Sequence, residues 1–168
     1  MPITGIEQPE IITIDEQFRL RRYDGKHDFA IQWYQDPELI QMIDGDTTLY
    51  SIEKVKRMYD YLDQHGELYF IEAKENDAYR PIGDVTFWQE DMPIVIAEKE
   101  YRGRGVGRKV IQALIRRARQ LGYEAIFVNE IFDFNIASKK CFESIGFWVC
   151  GATRLGHRYC LEITQSDE

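Results

Sequence analysis

Long apolar runs are missing from this chain of 168 residues. No stretch approaches the roughly 18 consecutive apolar residues that a membrane-spanning helix needs, so we expect no membrane partner. The first residues, through Glu7, lack the basic region and the apolar stretch of a secretory signal. Internal repeats, linkers and low-complexity segments are also missing. With 44% hydrophobic residues, residues 1–168 are expected to form one domain with a sizeable core.

Cysteine and histidine are scarce, with three residues of each type. Cys141, Cys150 and Cys160 form no CxxC pair, and no histidine stands at a metal-ligand spacing from them. An odd number of thiols without such a pattern is typical of a reduced, cytoplasmic protein. We therefore expect no disulfide framework and no metal site.

Acidic side chains are missing from one segment. None lies between Tyr101 and Tyr123, where seven basic residues fall, although the net charge of the chain is −8. Residues 1–100 hold 22 acidic and 10 basic side chains, whereas residues 101–168 hold 7 acidic and 11 basic ones. A basic zone in an acidic chain suits a multiply phosphorylated cofactor and a cationic acceptor, and it argues against nucleic acid as a partner. Ordinary solubilising acidity would give the same balance.

The basic segment opens with a glycine-rich loop, Tyr101-Arg102-Gly103-Arg104-Gly105-Val106-Gly107-Arg108-Lys109. The loop joins a short apolar strand at residues 93–97 to an amphipathic helical pattern that runs to Gly122. Alternating glycines expose backbone N–H groups, and a helix that begins there directs the positive end of its dipole toward them. The loop therefore predicts a pyrophosphate site, and a tight strand-to-helix turn is the plainer alternative.

Two common phosphate-binding motifs do not fit this loop. A P-loop needs Gly-x-x-x-x-Gly-Lys followed by Ser or Thr, which the segment lacks. A dinucleotide fingerprint needs a third glycine where Arg108 stands, and it normally lies in the first strand–helix unit of its domain. The spacing that fits is Arg-x-x-Gly-x-Gly, formed by Arg102, Gly105 and Gly107.

A second motif lies downstream, where residues 135–147 read Asn-Ile-Ala-Ser-Lys-Lys-Cys-Phe-Glu-Ser-Ile-Gly-Phe. With the glycine loop, this segment resembles the GNAT superfamily of N-acetyltransferases. In that family Arg-x-x-Gly-x-Gly binds the pyrophosphate of acetyl-CoA, and an Asn…Tyr…Gly-Phe segment follows at a similar spacing. The resemblance covers residues 92–147, about a third of the chain.

The resemblance implies a GNAT-like fold of the α+β class. Its central mixed, mostly antiparallel sheet is flanked by helices and splays between the fourth and fifth strands. The hydrophobic patterns predict a compatible order of elements. Strands are predicted at residues 18–23, 68–73, 82–89, 92–97, 125–130, 147–153 and 159–164, and helices at residues 24–35, 37–43, 52–65, 106–121 and 135–145.

The resemblance also implies acetyl-CoA as co-substrate. Its pyrophosphate would lie on the glycine loop, and its pantetheine arm would hydrogen-bond to the edge of the strand before the loop. A backbone N–H in that strand could face the thioester oxygen. Asn135 would hydrogen-bond to the arm, unless it serves only as a helix N-cap. The cofactor-binding residues predicted in this way are Val95, Ile96, Ala97, Arg102, Gly103, Arg104, Gly105, Val106, Gly107, Arg108, Asn135 and Phe142.

The general base is predicted at Glu130. Related N-acetyltransferases often carry an acidic residue at this position, beside the splay, where a partly desolvated carboxylate could take the proton of the amine. A surface glutamate at a strand end is the alternative interpretation. Asp84, Glu90 and Asp91, on the preceding strands, are rival bases.

The chain departs from the family pattern at Phe142. The family commonly has tyrosine there, as the acid that protonates the leaving thiolate, and phenylalanine has no proton to give. Solvent would then have to act as the acid, or Tyr123, Tyr159 or Cys141 would replace the missing tyrosine. A weak catalyst is the remaining alternative.

Together these patterns predict a cytoplasmic acyltransferase that moves an acetyl group from acetyl-CoA to a primary amine by direct attack. The acceptor is a small molecule or a peptide. A cationic acceptor such as an aminoglycoside is favoured by four acidic residues in the segment that usually covers the acceptor, namely Asp36, Glu38, Asp44 and Asp46. A ribosomal-protein N-terminal acetyltransferase is one alternative. A non-catalytic acyl-CoA-binding sensor, supported by Phe142, is the other. The chain would act as a monomer or a homodimer.

Overall fold

The computed structural model describes residues 2–164. This range contains eight strands, four α-helices and two 3₁₀ helices. The strands are β1 (Ile11–Thr13), β2 (Phe18–Arg22), β3 (Glu67–Glu75), β4 (Ala78–Phe87), β5 (Ile94–Ile96), β6 (Ala125–Phe132), β7 (Trp148–Ala152) and β8 (Gly156–Glu162). The α-helices are α1 (Pro37–Asp44), α2 (Ile52–His65), α3 (Val106–Gln120) and α4 (Ile136–Ile145), and the 3₁₀ helices are Asp28–Gln35 and Lys99–Tyr101.

The strands form two sheets, in the orders β1-β2-β3-β4-β5 and β6-β8-β7. The α+β prediction is therefore confirmed. The two strands predicted to splay, β5 and β6, belong to different sheets. The chain divides into two compact units. The first unit holds the residues up to Thr86 and Ile94–Arg102, and the second holds Phe87–Pro93 and the residues from Gly103 onward. That residues 1–168 act as one domain stays a prediction; residue 1 and residues 165–168 lie outside the described range.

The first unit is built around β3, whose residues 67–73 are all buried. A strand covered on both faces reads as a continuous apolar run, and β3 supplies four such residues in Leu68-Tyr69-Phe70-Ile71. Helix α2 contacts β3. Ser51 is its N-cap, as predicted, because the Oγ of Ser51 accepts a hydrogen bond from the N–H of Lys54 at 3.1 Å.

The second unit holds α3 and α4, which contact each other, and the β6-β8-β7 sheet. The apolar face of α3 is buried, with Val106, Val110, Leu114 and Ala118 at helical spacing. The turn of residues 87–93 also belongs to this unit, because Phe127 of β6 donates its N–H to the carbonyl of Gln89 at 3.0 Å. None of the helices in residues 2–164 is long and apolar enough to span a bilayer.

Several predicted boundaries are wrong, and β1 was not predicted. The strand predicted at residues 82–89 is Ala78–Phe87, and the strand predicted at residues 159–164 is Gly156–Glu162. The helix predicted from residue 24 begins at Asp28 and is a 3₁₀ helix. The strand predicted at residues 92–97 has only three residues, Ile94–Ile96. It is shortened because Trp88 and Asp91 exchange backbone hydrogen bonds of 3.2 and 3.3 Å that close a tight turn, and because Pro93 has no N–H for a ladder.

Candidate cofactor and active site

The glycine loop is a turn that leads directly into α3. Gly103 and Gly105 adopt left-handed backbone conformations, with φ of 69° and 79°. Gly105 is the N-cap of α3 and gives it no side-chain hydrogen bond. A Cβ built on Gly105 would meet no atom within 4 Å. Backbone conformation rather than crowding therefore requires glycine here, and the N-terminus of α3 is left open, as an anion site needs.

The next residues of the motif pack against α4. A Cβ on Gly107 would lie 3.8 Å from the Sγ of Cys141, an ordinary van der Waals contact. Arg108 donates a hydrogen bond to the Oγ of Ser144. Val106 is buried in the core. Of the predicted loop residues, Gly103, Arg104 and Gly105 are the exposed ones at the turn itself.

The strand before the loop carries Val95 and Ile96, both half-buried, and lies at the edge of its sheet. Just past its end, Ala97 and Glu98 both donate their N–H groups to the carbonyl of Ile82, at 2.8 and 3.1 Å. The N–H of Ala97 therefore has a partner within the strand pair. A backbone donor for the thioester at Val95 or Ile96 stays a prediction.

Gly83 was missed by the sequence reasoning. A Cβ on this residue of β4 would lie 2.0 Å from the backbone oxygen of Val95, so only glycine allows β4 to approach β5 this closely. An isolated glycine within a strand pattern is the signal that could have identified it.

Asn135 is the N-cap of α4, and its Oδ1 accepts a hydrogen bond from the N–H of Ser138 at 3.2 Å. The alternative role left open for this residue is therefore present in the structure. The cap uses Oδ1 and leaves the Nδ2 end of the amide as a hydrogen-bond donor. A contact between Asn135 and the cofactor arm stays a prediction.

Phe142 is buried, 2% exposed, and packs perpendicular to Phe147 with the ring centroids 5.0 Å apart. Two proposed substitutes for the missing tyrosine are poor acids. Burial, followed by nearby Glu143, raises the pKa of Tyr159, and burial raises the pKa of the Cys141 thiol. Each therefore holds its proton more tightly than in water.

Glu130 lies in β6 at an irregularity in its pairing with β8, between Val128 and Ile131. Its Oε2 accepts hydrogen bonds from the Oγ1 of Thr153 and from the N–H of Leu155 at 3.1 Å. The carboxylate thus holds the turn between β7 and β8, which is a structural role. Its role as general base stays a prediction.

Asp84 is the most deeply buried of the rival bases. Its Oδ2 accepts hydrogen bonds from the hydroxyls of Tyr34 at 2.7 Å and Tyr59 at 2.8 Å. Burial raises the pKa of Asp84 to about 6, and the two tyrosine hydrogen bonds oppose that shift. The residue links β4 to the 3₁₀ helix Asp28–Gln35 and to α2 within the first unit.

Asp91 and Glu90 belong to the second unit. Asp91 accepts the N–H groups of Met92 at 2.8 Å and of Asn129 in β6 at 3.0 Å. Burial raises the pKa of Asp91, and these two backbone hydrogen bonds oppose the shift. Glu90 forms an ion pair with Arg158 at 3.0 Å. Asp91 is therefore the rival that combines partial burial with a position beside β6.

The four acidic residues offered for a cationic acceptor all have partners in the first unit. Two of them lie near cations: Asp36, the N-cap of α1, is 4.0 Å from Arg102, and Glu38 pairs with Lys99 at 3.1 Å. The other two accept hydrogen bonds from neutral groups. Asp44 accepts one from the hydroxyl of Tyr50 at 2.5 Å, and Asp46 accepts one from the N–H of Thr48 at 2.7 Å. Within residues 2–164, no group of three or more His, Cys, Asp or Glu side chains is placed to hold a metal ion.

The model of the Acetyltransferase (GNAT) family matches residues 27–147, which include the glycine loop and the Asn135–Phe147 segment. The chain belongs to the GNAT acetyltransferase family. The predicted family membership is therefore confirmed. A comparison with curated proteins found no match.

Solved structures share the GNAT fold with this chain. A domain from Methanocaldococcus jannaschii is 21% identical, with a TM-score of 0.76, over 88% of this chain and 99% of that one. The ribosomal L7/L12 alpha-N-protein acetyltransferase RimL, in complex with coenzyme A, is 18% identical, with a TM-score of 0.75, over 94% and 100%. The aminoglycoside acetyltransferase AAC(6')-Ib, also with coenzyme A, is 18% identical, with a TM-score of 0.66, over 86% and 94%.

Proposed function

We propose that this chain is a cytoplasmic N-acetyltransferase that uses acetyl-CoA as co-substrate and acetylates a primary amine by direct attack. The observation that carries the proposal is the open N-terminus of α3, where Gly103 and Gly105 adopt left-handed conformations and no side chain caps the helix. The backbone N–H groups of a helix N-terminus and the helix dipole favour a pyrophosphate at this place. Relatives by fold hold coenzyme A or acetyl-CoA.

In the proposed reaction the amine nitrogen attacks the thioester carbonyl carbon. The carbon–nitrogen bond forms, the carbon–sulfur bond breaks, and the coenzyme leaves as a thiolate. A base takes one proton from the attacking amine, and a proton from solvent neutralises the thiolate, because Phe142 has none to give. Holding the two reactants together and stabilising the developing oxyanion supply the remaining rate enhancement.

The family resemblance makes Glu130 the first candidate for the base, and the structure supports Asp91 as its rival. Glu130 accepts two hydrogen bonds on Oε2, from the Oγ1 of Thr153 and from the N–H of Leu155. Asp91 accepts two as well, but burial outweighs them and raises its pKa. A base works best when its pKa lies near the working pH, which favours a carboxyl group that is partly desolvated.

For the acceptor we propose a cationic small molecule such as an aminoglycoside. The excess of acidic residues before residue 100 supports it, as does the fold shared with AAC(6')-Ib. The second candidate is the N-terminus of a ribosomal protein, which the likeness to RimL supports through its larger coverage of this chain, 94% against 86%.

The test measures thiol release from acetyl-CoA with three acceptors: an aminoglycoside, a peptide with a free N-terminal serine, and no amine. Mass spectrometry checks for the acetylated product. Turnover with the aminoglycoside supports the first candidate, and turnover with the peptide alone supports the second. Tight binding of acetyl-CoA with no amine turned over would contradict an enzyme and favour the sensor.

A further inference from the structure

The end of β5 has the hydrogen-bond pattern of a β-bulge. The N–H groups of Ala97 and Glu98 converge on the carbonyl of Ile82, so that two residues of one strand stand opposite one residue of the other. Gly83 permits the close approach of the two strands next to the bulge. A bulge bends its strand and needs support, because it replaces a regular ladder.

Arg102 supplies that support from the opposite side. Its Nε donates a hydrogen bond to the carbonyl of Ile96 at 2.8 Å, and its Nη2 donates one to the carbonyl of Ala97 at 2.9 Å. These carbonyls belong to the same two peptide groups whose N–H ends bond to Ile82. Each peptide is therefore hydrogen-bonded at both ends, and each carbonyl receives a charge-assisted bond.

The rest of the guanidinium faces carboxylates of the first unit. Nη2 lies 4.0 Å from Asp36 and Nη1 lies 4.0 Å from Glu38. The side chain is only 20% exposed. All three nitrogens of Arg102 thus have acceptors or counter-charges near them, and a phosphate would have to compete with these groups for the guanidinium.

We propose that Arg102 is a positioning residue for the pantetheine half of acetyl-CoA and not a ligand of its pyrophosphate. This proposal rests on the proposed function, since it assumes that acetyl-CoA binds. The guanidinium fixes the carbonyls of Ile96 and Ala97, and with them the strand edge along which the pantetheine arm would lie. Phosphate binding is then left to the turn at Gly103–Gly105 and the N-terminus of α3.

The test divides the cofactor into its two halves. Titration calorimetry measures acetyl-CoA, S-acetylpantetheine and 3'-phospho-ADP on the full chain and on Arg102→Ala. We expect the affinity for acetyl-CoA and for S-acetylpantetheine to fall by a similar factor, roughly tenfold, because the two lost bonds order the strand edge and do not contact the ligand, so only part of their free energy bears on binding. The affinity for 3'-phospho-ADP should stay within about twofold, because its phosphates meet other groups.

Two further variants separate hydrogen bonding from charge. Arg102→Gln removes the charge but keeps an amide that can donate to a carbonyl, so it should recover a large part of the lost affinity. Arg57→Ala removes one exposed positive charge from α2 and should change none of the three affinities. A loss confined to 3'-phospho-ADP and acetyl-CoA, equal in the Gln and Ala variants, would overturn the proposal and make Arg102 a phosphate ligand.

Amide hydrogen exchange tests the bulge without any ligand. The N–H groups of Ala97 and Glu98 should exchange faster in Arg102→Ala than in the parent chain, and Arg102→Gln should slow them again. Unchanged exchange at both positions would overturn the proposal even if affinities fall. If the parent chain binds none of the three ligands while the exchange result holds, the proposed function fails and the support of the bulge by Arg102 stands.

Discussion

Gly105 offers the sharpest test of where the cofactor binds, because the chain contains a matched control. Gly105 has a φ of 79°, and a Cβ placed there would meet nothing within 4 Å. Gly122 follows α3, has a φ of 77°, and is equally open. Substitution by alanine therefore imposes the same backbone strain at both positions and no steric clash at either.

The magnitude follows from the backbone. A non-glycine residue in the left-handed region costs roughly 1–2 kcal/mol, so both variants should lose that much free energy of unfolding. For a chain of this size, the loss corresponds to a fall in Tm of about 2–8 °C. The two variants should differ in ligand binding alone. The methyl group of Gly105→Ala would occupy the open space through which a phosphate must approach the N–H groups of α3.

The assay combines thermal unfolding with titration of acetyl-CoA. Gly105→Ala should lose on the order of tenfold or more in affinity, about 1.4 kcal/mol, whereas Gly122→Ala should bind like the parent chain. Equal Tm values and equal affinities in the two variants would refute the placement of the pyrophosphate at this loop. A large Tm loss in Gly105→Ala alone would show that the position is packed and would refute the reasoning from open space.

Three other positions give separate predictions. Glu130→Gln keeps an acceptor for Leu155 but cannot take a proton, so turnover should fall about 10²–10⁴-fold if Glu130 is the base; full activity across the pH range would move the role to Asp91. Asn135→Ala should lower the free energy of unfolding by about 1 kcal/mol through loss of the cap, and a separate fall in acetyl-CoA affinity of about fivefold would establish the predicted second contact. For Asp84, burial raises the pKa in the folded chain to about 6, above its ordinary value of 3.8. The raised pKa therefore contributes fully to the free energy of unfolding below pH 3.8, and this contribution, roughly 3 kcal/mol, is lost as the pH rises from there through 6. In urea unfolding from pH 4 to 7, the stability of the parent chain relative to Asp84→Asn should fall over that window, and a constant difference would contradict the raised pKa.

The elements that the sequence predicted well depend on local patterns. The glycine loop and α3 follow from alternating glycines and a helical apolar repeat within about twenty residues, and the Ser51 N-cap follows from one residue type at one position. The turn that shortens β5 was missed although its cause is also local, because the bridge between Trp88 and Asp91 leaves no periodic signature.

The parts that the sequence could not predict join distant residues. The hydroxyls of Tyr34 and Tyr59 reach Asp84 across 50 and 25 positions of the chain. Glu130 meets Leu155 across 25 positions. The motif identified Arg102, but the hydrogen bonds of its guanidinium to the carbonyls of Ile96 and Ala97 leave no signal in the sequence.

The acidic residues predicted to cover the acceptor differ in the negative field they project, because their partners differ. An ion pair cancels the field of a carboxylate, whereas a hydrogen bond from a neutral group leaves its charge in place. The positive charge of Lys99 therefore offsets the field of Glu38. The hydrogen bond that Asp46 accepts from the N–H of Thr48 comes from a neutral group, so the negative field of Asp46 remains.

Asp46→Asn is consequently the variant that tests electrostatic recognition of a polycation. Asparagine retains an Oδ1 for the N–H of Thr48, so the turn should hold and Tm should stay within about 1 °C. At low salt the KM for an aminoglycoside should rise about two- to fivefold, since one exposed charge contributes on the order of 1 kcal/mol or less, and the effect should shrink at high salt. The KM for a monoamine that carries no other charged group should not change. A salt-independent rise for both acceptors would mean that Asp46 shapes the turn and that the negative field of this segment does not select the acceptor.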